Sequence, residues 1–234
     1  MSQPRIEGYY GFSDEKTILV NILKRKLRPS YSSILDVGAG NGVLSQILYE
    51  RTNDLHLCEI NPFYEKSLRE SLPKAQIEIK DVNNLNLKSY EMVFFSQGLY
   101  YHSTQHWRGI VSRLMDSLTP GGELVLILNK NEGDWWDAIR SVWEVRPEQL
   151  AFSYLPSDQF ISIISNDCKA IDIETFIYNL NFSNTEERDH YLRKSCIPLL
   201  HQNVETEKLI ANYIDTLGSR LNFQYFSEVI TLRK

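Results

Sequence analysis

The feature that most constrains the fold is the stretch SSILDVGAGNGVLSQIL, Ser32 to Leu48, in which three glycines follow a short apolar run. The run Ile34–Val37 has the pattern of a buried strand, and the residues after the glycines have that of a helix. A glycine-rich turn between a strand and a helix leaves the backbone bare, so a ligand can approach it closely. The stretch therefore predicts a strand–turn–helix unit that binds a ligand.

Strands and helices are predicted to alternate up to residue 130, which favours a parallel sheet covered by helices. The five predicted strands are 34–37, 55–59, 76–79, 91–95 and 123–128. The rest of the chain differs, since two helices separate its last two predicted strands, 171–178 and 225–232. The first of these helices is expected to begin at a capping box, Ser183 to Glu186.

Composition and charge exclude several classes of protein. The chain has 234 residues, of which 42% are hydrophobic, and this fits one globular domain over residues 1–234. Its net charge of -5 does not favour a nucleic-acid partner. We expect a cytoplasmic protein without a membrane segment or a metal, because the apolar runs are short and the three cysteines lack pairing or metal spacing.

Two acidic residues indicate which ligand the glycine turn takes. The turn reads G-x-G-x-G, with Val43 where a dinucleotide site would have its third glycine. Asp36 precedes the glycines, where a carboxylate suits a cationic amino group better than a pyrophosphate, although it could instead brace the turn. Glu59 ends the second predicted strand, where an acid can hold both ribose hydroxyls. These residues favour an adenosyl sulfonium over a dinucleotide.

The segment ILDVGAGNG resembles the first motif of the class I S-adenosylmethionine-dependent methyltransferases. Further segments are similar to that family in type and order: Glu59, KDVNNL with Asp81, VFFSQGLYYH and LTPGGELVL. The resemblance covers residues 9–129 and is weak over the remainder.

The resemblance implies an α/β, doubly wound (Rossmann-like) fold with a seven-stranded, mostly parallel sheet, an antiparallel last strand and a helical lid insertion. It divides the domain into an N-terminal cap segment (1–30), a cofactor-binding half (31–130) and an acceptor-side half (131–234) with its insert at 183–217. The implied cofactor is S-adenosyl-L-methionine, with S-adenosyl-L-homocysteine as product. The residues implied to bind it are Asp36, Gly38, Ala39, Gly40, Gly42, Glu59, Ile60, Asp81, Val82, Ser96 and Gln97.

Aromatic residues are expected to line the acceptor site. Three segments that carry them should meet at the carboxyl edge of the sheet, where open α/β folds bind ligands. The candidates are Tyr9, Tyr10 and Phe12, then Tyr100, Tyr101 and His102, then Trp135 and Trp136. Aromatic faces stabilise cations, including an amine that is being methylated, although any of these rings could instead belong to the core. Tyr101 and His102 are the candidate catalytic residues, with His102 as a general base.

The segments LYYH, GDWWDAI and YLPSDQFISII are weakly similar to histamine N-methyltransferases, which implies a small amine as acceptor. No Asn/Asp-Pro-Pro-aromatic motif follows the fourth strand, so a nucleic-acid base is not expected. Three alternatives stay open. They are methylation of a carboxylate or hydroxyl on a natural product or modified peptide, non-catalytic binding of the S-adenosyl ligand, and a nicotinamide-dependent oxidoreductase. The oligomeric state is not indicated.

Overall fold

A computed structural model describes residues 9–143, 157–164, 170–196 and 204–234. Numbered in chain order, the strands are β1 (Ile34–Val37), β2 (Leu55–Glu59), β3 (Gln76–Ile79), β4 (Tyr90–Ser96), β5 (Leu118–Gly133), β6 (Ala170–Asn181) and β7 (Asn222–Arg233). They form one seven-stranded sheet in the order β3-β2-β1-β4-β5-β7-β6. Strands β1 to β5 pair in parallel, and β7 lies antiparallel between β5 and β6. The predicted fold class is confirmed.

Helices cover both faces of the sheet. They are α1 (Tyr9–Phe12), α2 (Glu15–Lys26), α3 (Ser45–Tyr49), α4 (Glu65–Ser71), α5 (Thr104–Asp116), α6 (Asp134–Trp143), α7 (Ser157–Ile164), α8 (Thr185–Cys196) and α9 (Val204–Thr216). One apolar core lies under α2, α3, α4, α8 and α9, and a second lies under α5 and α7. No helix in these ranges is long and apolar enough to cross a membrane.

Two helix starts show how the local sequence places the chain. Asn61 caps the turn before α4, because its side-chain oxygen accepts a hydrogen bond of 3.1 Å from the N–H of Phe63. The cap of α8 lies one residue later than predicted. Asn184 accepts from the N–H of Glu187 at 2.9 Å, and the Glu187 carboxylate accepts from the N–H of Ser183 at 2.7 Å. The prediction of Ser183 and Glu186 was wrong because Asn184 is the residue that caps the helix, and Glu187 reaches back to the N–H of Ser183 rather than to that of the capping residue.

The segment before α2 is attached to the far edge of the sheet. Asp14 accepts hydrogen bonds from the backbone N–H of Asn179 at 2.6 Å and from its side-chain amide at 3.1 Å. The ring of Phe12 packs against Phe182 and Tyr191, with centroids 5.2 and 6.3 Å away. The start of α2 is therefore held to β6 and α8, and Phe12, expected near the acceptor, has a packing role.

Arg188 attaches α8 to the chain before β7. It is buried, and its guanidinium donates to the carbonyl oxygens of Gly218 at 2.7 Å and Arg220 at 2.9 Å. Its other nitrogen lies 2.6 Å from the carboxylate of Asp189. Since a buried guanidinium is tolerated only when its donors are paired, this contact fixes how α8 packs on the rest of the domain.

We expect Arg188→Ala to lower the free energy of unfolding by about 2 kcal/mol or more, because two partly buried carbonyls lose their donors. Arg193→Ala removes an exposed arginine from the same helix and should change it by less than about 0.5 kcal/mol. Urea unfolding of both variants measures the difference. Equal losses would contradict the anchoring role of Arg188.

Candidate active site

The glycine turn after β1 has the backbone shape that its sequence predicts. Gly38, Gly40 and Gly42 have φ of 72°, 56° and 80°, a conformation that residues with a side chain rarely adopt. A Cβ at Gly40 would have no other atom closer than 4.0 Å, so the backbone there faces open space. A Cβ at Gly42 would lie 2.9 Å from Leu68 of α4. Gly42 therefore permits close packing of α4, and a Cβ at Gly38 would contact the ring of Phe95 at 3.7 Å. The open backbone of the turn is at Gly40.

Glu59 at the end of β2 joins the glycine turn to the next loop. One carboxylate oxygen accepts from the N–H of Gly40 and the other from the N–H of Asn61, both at 2.7 Å. Each oxygen keeps a second lone pair, so the carboxylate can still accept the hydroxyls of a ribose. Ile60 beside it is 48% exposed and offers an apolar surface at the same edge.

Asp36 lies beneath the turn and is 2% exposed. It accepts a hydrogen bond of 2.6 Å from the hydroxyl of Ser45, the first residue of α3. Burial raises the pKa of Asp36 to about 7 and the charge of Glu59 adds to this, while the Ser45 hydrogen bond opposes it. Asp36 thus braces the start of α3, and its contact with a cofactor stays a prediction.

Asp81 and Val82 begin the loop after β3. Asp81 accepts from the backbone N–H of Asn83 at 2.8 Å, which caps a short 3-10 turn, Val82–Asn84. The side chain of Val82 is buried, and the N–H of Lys80 donates to the carbonyl of Glu59 at 2.9 Å. The loop predicted to flank the adenine therefore lies next to the carboxylate predicted to hold the ribose.

The end of β4 is strained. Within the described ranges, Gln97 is the one non-glycine residue with a positive φ, at 54°. The hydroxyl oxygen of Ser96 is buried and has no hydrogen-bond partner among the described residues. A Cβ at Gly98 would lie 1.9 Å from the ring of Phe95, so glycine is required there. Strain of this kind occurs at functional sites, where it fixes the direction of a side chain.

Gln97 belongs to a polar cluster that consists of Glu15, Gln97, Asn129 and Ser227. The amide nitrogen of Gln97 donates to a side-chain oxygen of Asn129 at 3.0 Å and lies 3.4 Å from a carboxylate oxygen of Glu15. The hydroxyl of Ser227 donates to the same oxygen of Asn129 at 2.9 Å. Glu15 and Ser227 are buried, so the cluster forms a polar floor where α2 meets β4, β5 and β7.

The sequence patterns do not single out Glu15, Asn129 and Ser227. Glu15 begins a helix, where an acidic residue is explained by the helix dipole, and Ser227 is one small residue within a strand. Asn129 gave a usable signal, because it is a polar residue that directly follows the apolar run of β5 at the carboxyl edge of the sheet.

The aromatic candidates differ in what they contact. The hydroxyl of Tyr100 accepts a hydrogen bond from the N–H of Asn129, and its ring packs edge-on against Trp107 with centroids 5.5 Å apart. Trp136 packs against the core under α9. Tyr101 is 56% exposed, so its ring can cover a bound ligand. The side chains of Tyr9, Tyr10 and Trp135 lie outside the described part of the chain.

His102 is half-buried at the start of α5. Burial lowers the pKa of its imidazole, which the charge of Asp81 raises by a smaller amount. His102 is therefore neutral near pH 7 and can accept a proton. The charges that act on it come from Asp81 and His106, so it lies on the side of the loop predicted to bind adenine.

Comparison with known proteins identifies part of the chain. Residues 34–122 match a family model described as a methyltransferase domain. Over this segment the chain is similar to that family. The class of protein predicted from the sequence is confirmed for this segment, and it contains the glycine turn, Glu59 and the end of β4.

The relatives agree with this identification. The chain is 28% identical over 127 residues to the carboxy-S-adenosyl-L-methionine synthase of Hamiltonella defensa subsp. Acyrthosiphon pisum (strain 5AT). This match covers 50% of the chain and 49% of that protein, so the chain spans about half the length of its curated relative. No finding bears on the similarity to histamine N-methyltransferases, which stays a prediction.

Two solved structures share the fold. The YcgJ protein of Bacillus subtilis has a TM-score of 0.65 at 13% identity, covering 94% of this chain and 97% of that one. The N-methyltransferase NodS of Bradyrhizobium japonicum WM9, in complex with S-adenosyl-L-homocysteine, has a TM-score of 0.55 at 13% identity, covering 94% and 86%. At these identities the likeness establishes the fold.

The residues of the methyltransferase domain fit an adenosyl sulfonium. The open backbone at Gly40 admits a ligand closely, and the free lone pairs of Glu59 suit ribose hydroxyls. Ile60 provides exposed apolar surface for a base. The contacts of the individual residues with the cofactor remain predictions.

We expect the raised pKa of Asp36 to make the free energy of unfolding depend on pH. Its folded pKa of about 7 exceeds the ordinary value of 3.8, so folding is favoured below pH 4 and this advantage is lost as the pH rises to 7. The Asp36→Asn side chain cannot ionise. Between pH 4 and pH 8, the free energy of unfolding of this variant should therefore rise relative to that of wild type by up to roughly 4 kcal/mol in the ligand-free protein. Urea unfolding at both pH values measures this. Asp116→Asn, at an exposed site, serves as control, and a pH dependence unchanged in Asp36→Asn would contradict the assignment.

Proposed function

We propose that the protein transfers a methyl group from S-adenosylmethionine to a small-molecule acceptor and that the acceptor atom is an amine nitrogen. The methyltransferase domain and the named cofactor chemistry of the relatives support this donor. The glycine turn with Asp36 and Glu59 supports it from the residues themselves.

The amine is supported above all by the side-chain carbonyl of Gln97. Its oxygen is buried and has no hydrogen-bond partner among the described residues, while its nitrogen faces the carboxylate of Glu15. Because a carboxylate accepts hydrogen bonds, the amide nitrogen must point towards Glu15 and the oxygen away from it. That oxygen is a fixed acceptor for an N–H group.

This arrangement suits the chemistry of methyl transfer. The cofactor supplies a methyl group on a sulfonium, which is already activated, so the protein has to orient the nucleophile and exclude water. An amine that donates one N–H to Gln97 keeps its lone pair for the attack. The left-handed backbone of Gln97, which costs about 1 kcal/mol or more, holds that oxygen in one direction.

The polar cluster favours an amine over the other acceptors. A carboxylate acceptor would bring a second negative charge towards Glu15 and would set its oxygens against the oxygen of Gln97. A hydroxyl could donate to Gln97, but it would then need a base, and His102 is the candidate. In an amine reaction the attack needs no base, because a neutral amine carries its own lone pair, and Tyr101 covers the acceptor.

We expect Glu59→Ala to weaken binding of S-adenosylmethionine and S-adenosylhomocysteine by more than about tenfold, because the ribose loses its hydrogen bonds to a carboxylate. Calorimetric titration of wild type and variant measures this, with NAD as the control ligand. Tight binding of NAD, or adenosyl binding indifferent to Glu59, would contradict the cofactor assignment and favour the oxidoreductase alternative.

We expect phenethylamine to be methylated in preference to the matched 3-phenylpropanoate and 2-phenylethanol when labelled S-adenosylmethionine is the donor. Gln97→Met, which keeps the length of the side chain, should lower kcat/KM for the amine by about tenfold or more. The resemblance implies that Gln97 binds the cofactor, whereas we propose that its side-chain oxygen contacts the acceptor. On this proposal the dissociation constant of S-adenosylhomocysteine should stay within about twofold of wild type.

Methylation of the carboxylate in preference to the amine, or equal turnover by Gln97→Met, would overturn the amine assignment. Mass spectrometry of the cofactor in the same reactions covers a second candidate. The curated relative is named for a carboxylated S-adenosylmethionine, so a modified cofactor without a methylated acceptor would favour chemistry of that kind here.

A further inference from the structure

Arg113 makes two hydrogen bonds to the loop after β3. It lies in the last turn of α5 and is half-buried. Its guanidinium donates to the carbonyl oxygen of Val82 at 2.6 Å and to that of Leu85. The planar guanidinium has paired donors in fixed geometry, so it can hold both ends of a short turn at once, which a lysine cannot do.

The turn that Arg113 holds has few other means of keeping its shape. Asp81 caps its start, and the N–H of Leu85 donates to the carbonyl of Val82 at 3.2 Å. A three-residue 3-10 turn has weak internal hydrogen bonds, and its carbonyls would otherwise turn towards water. The side chains of Val82 and Leu85 are buried and hold the turn to the core, and the two charge-assisted bonds from α5 add a constraint on its carbonyls.

We propose that Arg113 is a positioning residue for the adenine end of the cofactor. By fixing the carbonyls of Val82 and Leu85, it keeps Asp81 and the Val82 backbone in the conformation that receives the base. The inference rests on the proposed function, because the ligand it concerns is the S-adenosyl group. A preformed loop avoids the cost of ordering on binding, so loss of Arg113 reduces affinity without removing any direct contact.

The chain contains a matched control. Arg51 also bridges two backbone carbonyls, that of Lys24 in the last turn of α2 at 3.0 Å and that of Arg28 after the helix at 2.7 Å, away from the glycine turn. Arg113→Ala and Arg51→Ala thus remove the same kind of bond at different places. Arg113→Lys keeps the positive charge but can donate a well-aligned hydrogen bond to only one of the two carbonyls. It therefore distinguishes the effect of the guanidinium geometry from that of the charge.

The experiment is calorimetric titration of S-adenosylhomocysteine and of 5′-methylthioadenosine into wild type, both alanine variants and Arg113→Lys, well below each Tm. We expect Arg113→Ala to bind both ligands about tenfold more weakly and by similar factors, because they share the adenosine. Arg113→Lys should fall between Arg113→Ala and wild type. The Tm of Arg51→Ala should fall by about as much as that of Arg113→Ala, while its dissociation constants for both ligands stay those of wild type.

The outcomes separate this inference from the proposed function. If Arg113→Ala binds both ligands with the dissociation constants of wild type and only its Tm is lower, the positioning role is overturned and the proposed function stays intact. Weaker binding of S-adenosylhomocysteine without weaker binding of 5′-methylthioadenosine would overturn it as well, since the effect would lie away from the adenine. If wild type binds neither ligand, the proposed function fails and this inference fails with it.

Discussion

The carboxylate of Glu59 makes the interaction on which the cofactor side of the molecule depends. It accepts the N–H groups of Gly40 and Asn61, so the loops after β1 and β2 have one shared partner. The carbonyl of Cys58 accepts from Gly38 at 2.7 Å, and the carbonyl of Glu59 accepts from Lys80 at 2.9 Å, which brings in the loop after β3. The three parallel strands β1, β2 and β3 end at the same edge of the sheet. The hydrogen bonds of Glu59 and Cys58 hold the three loops that follow them next to one another.

The acceptor side depends on contacts between distant parts of the chain. The end of β4 can bend as it does because Gly98 leaves room for the ring of Phe95. The amide of Gln97 then meets Glu15, whose helix is held at its start by the bonds between Asp14 and Asn179. The direction of the Gln97 carbonyl therefore depends on an anchor at the opposite edge of the sheet, beside β6.

The parts of the site that the sequence predicts are the local ones. The glycine turn, its acid Asp36 and the strand-ending Glu59 follow directly from their neighbours in the chain, as does the sheet that presents them. Gly42 shows where prediction from a motif ends. Its position in the sequence predicts contact with a ligand, whereas in the structure it packs against Leu68. A motif specifies the shape of the backbone, and only the fold shows what each glycine approaches.

The parts that the sequence does not predict are set by tertiary contacts. Glu15, Asn129 and Ser227 are far apart in the chain, and each has an ordinary local explanation that hides the cluster. The aromatic residues show the converse, since Tyr100 and Trp136 matched an acceptor pocket by position and yet pack against the protein. Their location at the carboxyl edge was predictable, whereas the direction of each ring depends on its neighbours.

Methyl transfer to an amine makes opposed electrostatic demands on such a site. A sulfonium donor is favoured by nearby carboxylates, and Asp36 and Glu59 are buried close to the glycine turn. The acceptor nitrogen, in contrast, must lose its positive charge before it attacks, and a carboxylate in direct contact would keep it protonated. The amide nitrogen of Gln97 faces the carboxylate of Glu15, and the buried amide oxygen points away from that charge. The carboxylate orients the amide, and in the reaction that we propose the amine nitrogen would meet a neutral carbonyl oxygen, which accepts its N–H without keeping the nitrogen protonated.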